Sequence, residues 1–152
     1  MASLTAFLHT KNDALRLGRC LETLYPCDEI VVVDHASDDE TLQIAREYGA
    51  QILNVGATLQ PRPGAWILCL DPRESLSESL AASLYEWKLQ SRGDVPAYSV
   101  FLREETASGW IQHPAPETRL VPSGWTRWHD RLPATEPSAP ALEGGLLRFT
   151  LP

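Results

Sequence analysis

Apolar and polar positions alternate in blocks along this chain. Leu4 to Leu8 is a short apolar run, followed by the polar stretch HTKND and then by Leu17, Cys20, Leu21 and Leu24 at helical spacing. This predicts a strand, a loop, and a helix that Asn12 caps and Pro26 ends. Ile30 to Val33 is a second apolar strand and ends in a carboxylate, Asp34. Ser37 and Glu40 form an S-x-x-E capping box, which predicts a helix starting there and ending near Gly49, a natural C′ residue. Gln51 to Val55 predicts a third strand, and Trp66 to Leu70 a fourth, again followed by a carboxylate, Asp71. The intervening GATLQPRPGA holds two prolines and two glycines and predicts irregular backbone over residues 56–65. Ser77 then caps a helix that carries Leu80, Leu84 and Trp87 on one face.

Strand and helix in alternation are the pattern of a parallel, right-handed α/β sheet. Such sheets take ligands beyond the carboxyl ends of their strands. Asp34 and Asp71 therefore point to a polar ligand, with a nucleotide the fitting class. The plainer reading of Asp34 is an acid that caps a turn. The second half reads differently. Ala97 to Glu105 and Glu117 to Val121 predict strands, joined by the turn-rich GWIQHPAPE. Trp110, Trp125 and Trp128 crowd this half, either as core and edge packing or as a platform for a sugar or base. A Pro/Ala/Gly-rich linker is expected over residues 133–145, after a domain over 1–132. The last strand, 146–152, is free to pair with its own sheet or a neighbour's, and the latter would give a homodimer.

Composition narrows the choice. A chain of 152 residues is sized for one domain. A net charge of -7 argues against nucleic acid and against an electrostatic hold on anionic lipid. The first residues lack a basic n-region, and no run approaches the roughly 18 apolar residues of a membrane span. With Cys20, Cys27 and Cys69 in no metal-ligand spacing, a reducing cytoplasm is the expected compartment. His9, His35, His113 and His129 lack zinc spacing. His9 and His35 both follow strands toward the expected site, to donate to phosphate or simply to fill loops. No glycine-rich phosphate loop is present, which disfavours kinases and dehydrogenases. Ser75, Ser77 and Ser79 stand at a helix start and make no nucleophile elbow.

The ordered segments EIVVVDHASDDETLQIAREYGA, WILCLDPRESLSESL and ETRLVPSGWTRWHDRL resemble the family-2 glycosyltransferases of the GT-A fold. The similarity runs roughly from Leu4 to Leu132 and is closest to bacterial enzymes that extend lipopolysaccharide cores and other surface glycans. It implies a single GT-A-like (Rossmann-like) α/β domain: a mostly parallel mixed sheet flanked by helices, with antiparallel strands in the C-terminal half. It implies transfer of a sugar from a nucleotide-diphosphate donor, a UDP-sugar above all, to a surface-glycan or lipid-linked acceptor. Under that resemblance Asn12 and Asp13 touch the nucleotide, and Asp34 holds the uracil or ribose. Ser37, Asp39 and Thr41 match an S-x-D-x-T stretch, and the His129–Asp130 pair supplies Asp130 as base.

Two departures stand out. The family's metal motif, commonly L-D-A-D-E, here reads Leu70-Asp71-Pro72-Arg73-Glu74, so Asp71 is the one ligand left for Mg²⁺ or Mn²⁺. Arg73 replaces the other carboxylate, either to fork onto the diphosphate or to stand solvated. A helix that family members carry before the fourth strand is reduced to residues 56–65. The alternatives to turnover are a catalytically inactive nucleotide-binding protein and an interaction protein on the same scaffold.

Overall fold

A computed structural model describes residues 2–57, 64–90 and 93–150. In chain order its elements are β1 (Leu4–Thr10), α1 (Ala14–Glu22), β2 (Glu29–Asp34), α2 (Thr41–Glu47), β3 (Gln51–Asn54) and β4 (Trp66–Leu70). Then follow β5 (Glu74–Leu76), α3 (Glu78–Leu89), β6 (Tyr98–Thr106), β7 (Gly109–Gln112), β8 (Glu117–Pro122), β9 (Trp128–His129), β10 (Leu132–Pro133) and β11 (Ala141–Arg148). The main sheet runs β3-β2-β1-β4-β8-β6-β11-β5, with β7 on β6. Its first four strands are mutually parallel, as the alternating pattern predicts. Beyond them β8 is antiparallel to β4 and to β6, while β11 runs parallel to β6 and antiparallel to β5.

The period of two along β1 divides the interior. Leu4, Ala6 and Leu8 face a core built with Leu17, Cys20 and Leu21 of α1 and Leu80, Leu84 and Trp87 of α3. Phe7 faces the opposite side, where Ile67, Cys69 and Val121 are covered by Trp125, Leu132 and Ala139. Helices thus close one face of the sheet, and the β9–β10 ribbon closes part of the other. Among the described residues no helix is long and apolar enough to cross a membrane.

Helix starts show where local signals lose to tertiary ones. Ser77 caps α3 as expected, its hydroxyl accepting from the Leu80 N–H at 3.1 Å. Asn12 does not cap α1. It adopts φ 52, a left-handed conformation that Asn tolerates, and Asp13 takes the N-cap position. Likewise α2 begins at Thr41 rather than at Ser37, because the Ser37 hydroxyl donates to the buried Asp34 carboxylate at 2.6 Å. Glu40 takes the N-cap position without a side-chain cap, and Asp39 before it accepts from the Thr41 N–H at 2.9 Å. Gly49 follows α2 with φ 75, as its C′ role requires. Most of the expected loop over 56–65 lies outside the described residues.

The expected linker over 133–145 is a fixed part of the domain. The Glu136 N–H donates to Thr118 Oγ1 at 2.9 Å, Arg127 pairs with Glu136 at 2.8 Å, and β11 already starts at Ala141. The final strand is interior to its own sheet, between β6 and β5. Gly144 is what lets it in: with φ 94, a Cβ there would lie 2.3 Å from the Leu80 amide nitrogen of α3.

Candidate functional site

Parallel register brings the ends of three strands level. Leu8 pairs with Leu70 and Thr10 with Asp34, so His9, Asp34 and Asp71 emerge side by side at one edge of the sheet. Two polar centres form there.

The first centre surrounds Asp34, which is 5% exposed. Its carboxylate accepts from the Ser37 N–H (3.1 Å) and hydroxyl (2.6 Å). Ser37 Oγ in turn accepts from the Asn12 N–H, and Asn12 Oδ1 accepts from the Asp38 N–H, both at 2.9 Å. Asp13 turns its carboxylate back to the Thr10 hydroxyl at 2.6 Å and the Lys11 N–H at 2.9 Å. Asp39 and Thr41 are joined by a short hydrogen bond, and the Asp13 N–H donates to Thr41 Oγ1. That bond is the foremost cause holding the exposed Asp39 carboxyl below its ordinary range. The residues expected from sequence thus form two adjoining hydrogen-bonded groups, Asn12, Asp34 and Ser37 in one and Asp13 and Asp39, through Thr41, in the other.

The second centre is a cleft of about 830 Å³ lined by His9, Leu70, Asp71, Glu117, Thr118 and the segment 129–135. Asp71 and Asp130 both line it; the Asp34 set does not. The β9–β10 ribbon turns through Asp130 and Arg131, with Asp130 at φ 59, and so carries that carboxylate and that guanidinium to the cleft wall. The two centres meet through imidazoles: His9 Nδ1 lies 2.8 Å from His35 Nε2. Burial, then the Arg131 charge and then His35, outweigh Asp130 and push His9 down to about 4, so it is neutral at pH 7.

Asp71 is held tightly. Its Oδ1 accepts from both the backbone N–H and the Nε of Arg73, each at 2.9 Å. Burial pushes the carboxyl up, but these bonds and the guanidinium charge overcome it and hold it below the usual carboxylate range. Arg73 is thereby committed to its neighbour and is absent from the cleft lining, so the diphosphate role expected from sequence is not one its geometry offers. The physical reason is the tight turn, which sets a guanidinium two residues from a carboxylate it can fork onto. A hard cation at Asp71 would have to displace that guanidinium, and no group of three or more His, Cys, Asp or Glu ligands occurs among the described residues. The donor set does not fit Mg²⁺ or Mn²⁺.

Glu74, the remaining acid of the motif, is a structural anchor. It is fully buried, accepts the Asp71 N–H at 2.9 Å, and is gripped by Arg119 at 2.7 and 2.9 Å and by Arg148 at 2.9 Å. Burial opposes its ionisation, and the paired guanidinium groups prevail, keeping it below the ordinary range. The sequence signal for this cluster was Arg119 inside the apolar run ETRLV, a charge that a buried strand admits only with a partner. Arg131 was also missed; its signal was its place directly after His129 and Asp130. The thiols are inert: burial pushes Cys27 and Cys69 up to about 12.

No protein-family model matches the chain. A TPR repeat-containing protein of Synechococcus elongatus is 32% identical over 127 residues, covering 74% of this chain and 30% of that protein. A Rickettsia felis protein named as an uncharacterized glycosyltransferase is 33% identical over 95 residues, covering 53% of this chain and 32% of its own length. The chain thus spans about a third of these curated relatives, 30% and 32% of their lengths. A lipopolysaccharide core biosynthesis glycosyltransferase of Rhizobium meliloti is 42% identical over 45 residues, or 30% of this chain and 17% of that enzyme. Among solved structures, glucosyl-3-phosphoglycerate synthase of Mycobacterium tuberculosis superposes with a TM-score of 0.50 at 16% identity, over 67% of this chain and 44% of that one. The S. aureus protein TarS, residues 1–349, gives 0.50 at 19% identity, over 74% and 38%. Both likenesses are of fold. The sheet order and the level strand ends agree with these likenesses: the chain has a GT-A-like glycosyltransferase fold, and its sequence is similar to proteins named as glycosyltransferases over about half its length or less.

Proposed function

We propose that this chain forms the nucleotide-sugar end of a glycosyltransferase, moving a sugar from a nucleoside diphosphate to a hydroxyl of a surface-glycan or lipid-linked acceptor. The observation that carries this reading is the convergence at one sheet edge of the Asp34 set and the Asp71–Asp130 cleft, joined by the His9–His35 contact. Its support from relatives is that the Mycobacterium tuberculosis neighbour was crystallised with UDP and Mn²⁺, and that the rickettsial and rhizobial relatives are named glycosyltransferases.

In this reading the Asp34 carboxylate, with Asn12, Asp13, Ser37 and Asp39 around it, accepts hydrogen bonds from the base or ribose. Each such bond contributes on the order of 1 kcal/mol. The sugar and acceptor occupy the cleft. Asp130 removes the acceptor hydroxyl proton as the oxygen attacks the anomeric carbon from the face opposite the leaving group. The new glycosidic C–O bond forms while the anomeric C–O bond to phosphate breaks, and the nucleoside diphosphate departs with the electron pair. Asp71, pinned by Arg73, orients the sugar hydroxyls as a hydrogen-bond acceptor.

Calorimetric titration with UDP and UDP-sugars, followed by a UDP-release assay on wild type, Asp34→Ala and Asp130→Asn, tests the scheme. The expected pattern is weakened UDP affinity in Asp34→Ala and retained affinity with lost release in Asp130→Asn. Unchanged UDP binding in Asp34→Ala removes that residue's role. Binding without release in wild type selects the inactive, nucleotide-binding reading instead.

A further inference from the structure

Among the described residues, one guanidinium that lines the cleft is unengaged. The neighbouring guanidinium groups among those residues are committed: Arg73 to Asp71, Arg119 to Glu74 and Glu117, Arg148 to Glu74, and Arg127 to Glu136 and the Trp125 ring. Arg131 is exposed, lines the cleft, and makes no hydrogen bond or ion pair among the described residues, not even with the adjacent Asp130. It stands close enough to His9 for its charge to act on that ring. The turn that carries it is anchored: the ribbon strands pair His129 with Leu132 and Trp128 with Pro133, and the Ala134 N–H donates to Arg127 O at 2.9 Å. The lining also carries Asp71, Glu117 and Asp130, but Asp71 and Glu117 already hold Arg73 and Arg119. Arg131 is thus left unpaired on the wall of a concave site, and an anion is the class of partner it fits.

We propose that Arg131 is the anion-binding residue of this cleft and takes the diphosphate of the ligand by direct, forked hydrogen bonds, without a bridging divalent cation. The inference rests on the nucleotide-sugar reading above and deepens it. Two planar N–H donors match two phosphate oxygens, and a guanidinium stays charged at any working pH. The leaving diphosphate gains charge as the anomeric bond breaks, so a fixed cation beside it stabilises the departing group more than the bound donor. Asp71 cannot share this task through a metal, since its carboxylate already carries the Arg73 guanidinium. The same two-residue turn then presents the base and the anion holder together, Asp130 toward the acceptor and Arg131 toward the leaving group.

The test uses pyrophosphate and UDP as separate probes, titrated in EDTA into wild type, Arg131→Gln and Arg131→Lys. Wild type is expected to bind pyrophosphate, with about a tenfold loss in Arg131→Gln, partial retention in Arg131→Lys, and weakening with added salt. Because the side chain is exposed, circular dichroism should be unchanged in both variants. A second readout is independent of affinity: the His9 ring, followed by NMR, should titrate at higher pH in Arg131→Gln. Absence of pyrophosphate binding to wild type, equal binding by Arg131→Gln, or an unmoved His9 titration each overturns the proposal. If pyrophosphate binds through Arg131 while UDP adds nothing, the anion role stands and the nucleotide reading falls. If UDP binds wild type and Arg131→Gln alike, the reverse holds.

Discussion

A single side-chain exchange, carboxylate to guanidinium at position 73, changes what Asp71 can do. Because the Arg73 Nε and N–H both bond one Asp71 oxygen, nucleotide diphosphate affinity in wild type should be the same in EDTA and in Mn²⁺. Arg73→Asp frees that carboxylate and adds another, so Mn²⁺ should raise its affinity by roughly a factor of ten. Mn²⁺-requiring binding by the wild type would refute this. His9 provides a second residue-scale prediction. Its folded pKa, about 4, lies below the ordinary 6.5, so between those values the folded chain binds fewer protons than the unfolded one. Stability therefore falls as pH drops through that window, and His9→Gln should flatten the slope of denaturation midpoints from pH 6.5 to 4. The groups facing this ring are His35, Asp130 and Arg131, and only Asp130 favours its protonation. Asp34 and Asp71 were legible because an apolar strand ending in an acid is a local pattern. The partners of Ser37 and Arg73 were not, since a strand-end carboxylate, buried at Asp34 and half-buried at Asp71, competes for donors across the turn and wins.

At the scale of elements, strands and helices with a strong period were read correctly, while those defined by a distant partner were not. β5 carries only Glu74, Ser75 and Leu76 and exists because β11 pairs with it. The sequence predicts a start of β11 only at residue 146, because Ala, Leu, Glu and two glycines give no strand pattern of their own, whereas the strand begins at Ala141. Its entry point is the close approach of Gly144 to α3. Gly144→Ala should destabilise the fold by about 2–5 kcal/mol, combining a backbone clash with left-handed strain, as measured by urea unfolding. Behind the cleft, Arg119→Met should cost about 3–5 kcal/mol by leaving Glu74 buried with one guanidinium fewer. The double change Arg119→Met with Glu74→Leu should recover much of that loss, whereas additive losses would show that the pair matters through packing alone.

At the scale of the whole molecule, the described strands of both halves, β11 included, share one nine-stranded sheet, with the β9–β10 ribbon apart from it. Residues near position 145 lie in the interior of the order β8-β6-β11-β5, so removing 141–152 should abolish native near-ultraviolet circular dichroism instead of trimming a tail. A truncated chain with an unchanged spectrum would restore the linker reading. The same integration explains why the site's two centres were legible in part: their acids sit on separate strands, and only the register of β1 with both neighbours shows that they adjoin. One contact at that junction has a consequence for information rather than stability. While both rings are neutral, His9 Nδ1 and His35 Nε2 share a single proton, so the two imidazoles have only two tautomeric arrangements. If His9 donates, its other nitrogen is a bare acceptor, suited to a sugar hydroxyl; if His35 donates, that nitrogen carries a proton, suited to a phosphate oxygen. Under the proposed function, the ligand atom set beside His9 would therefore select the tautomer of His35 as well, through the one proton the two rings share.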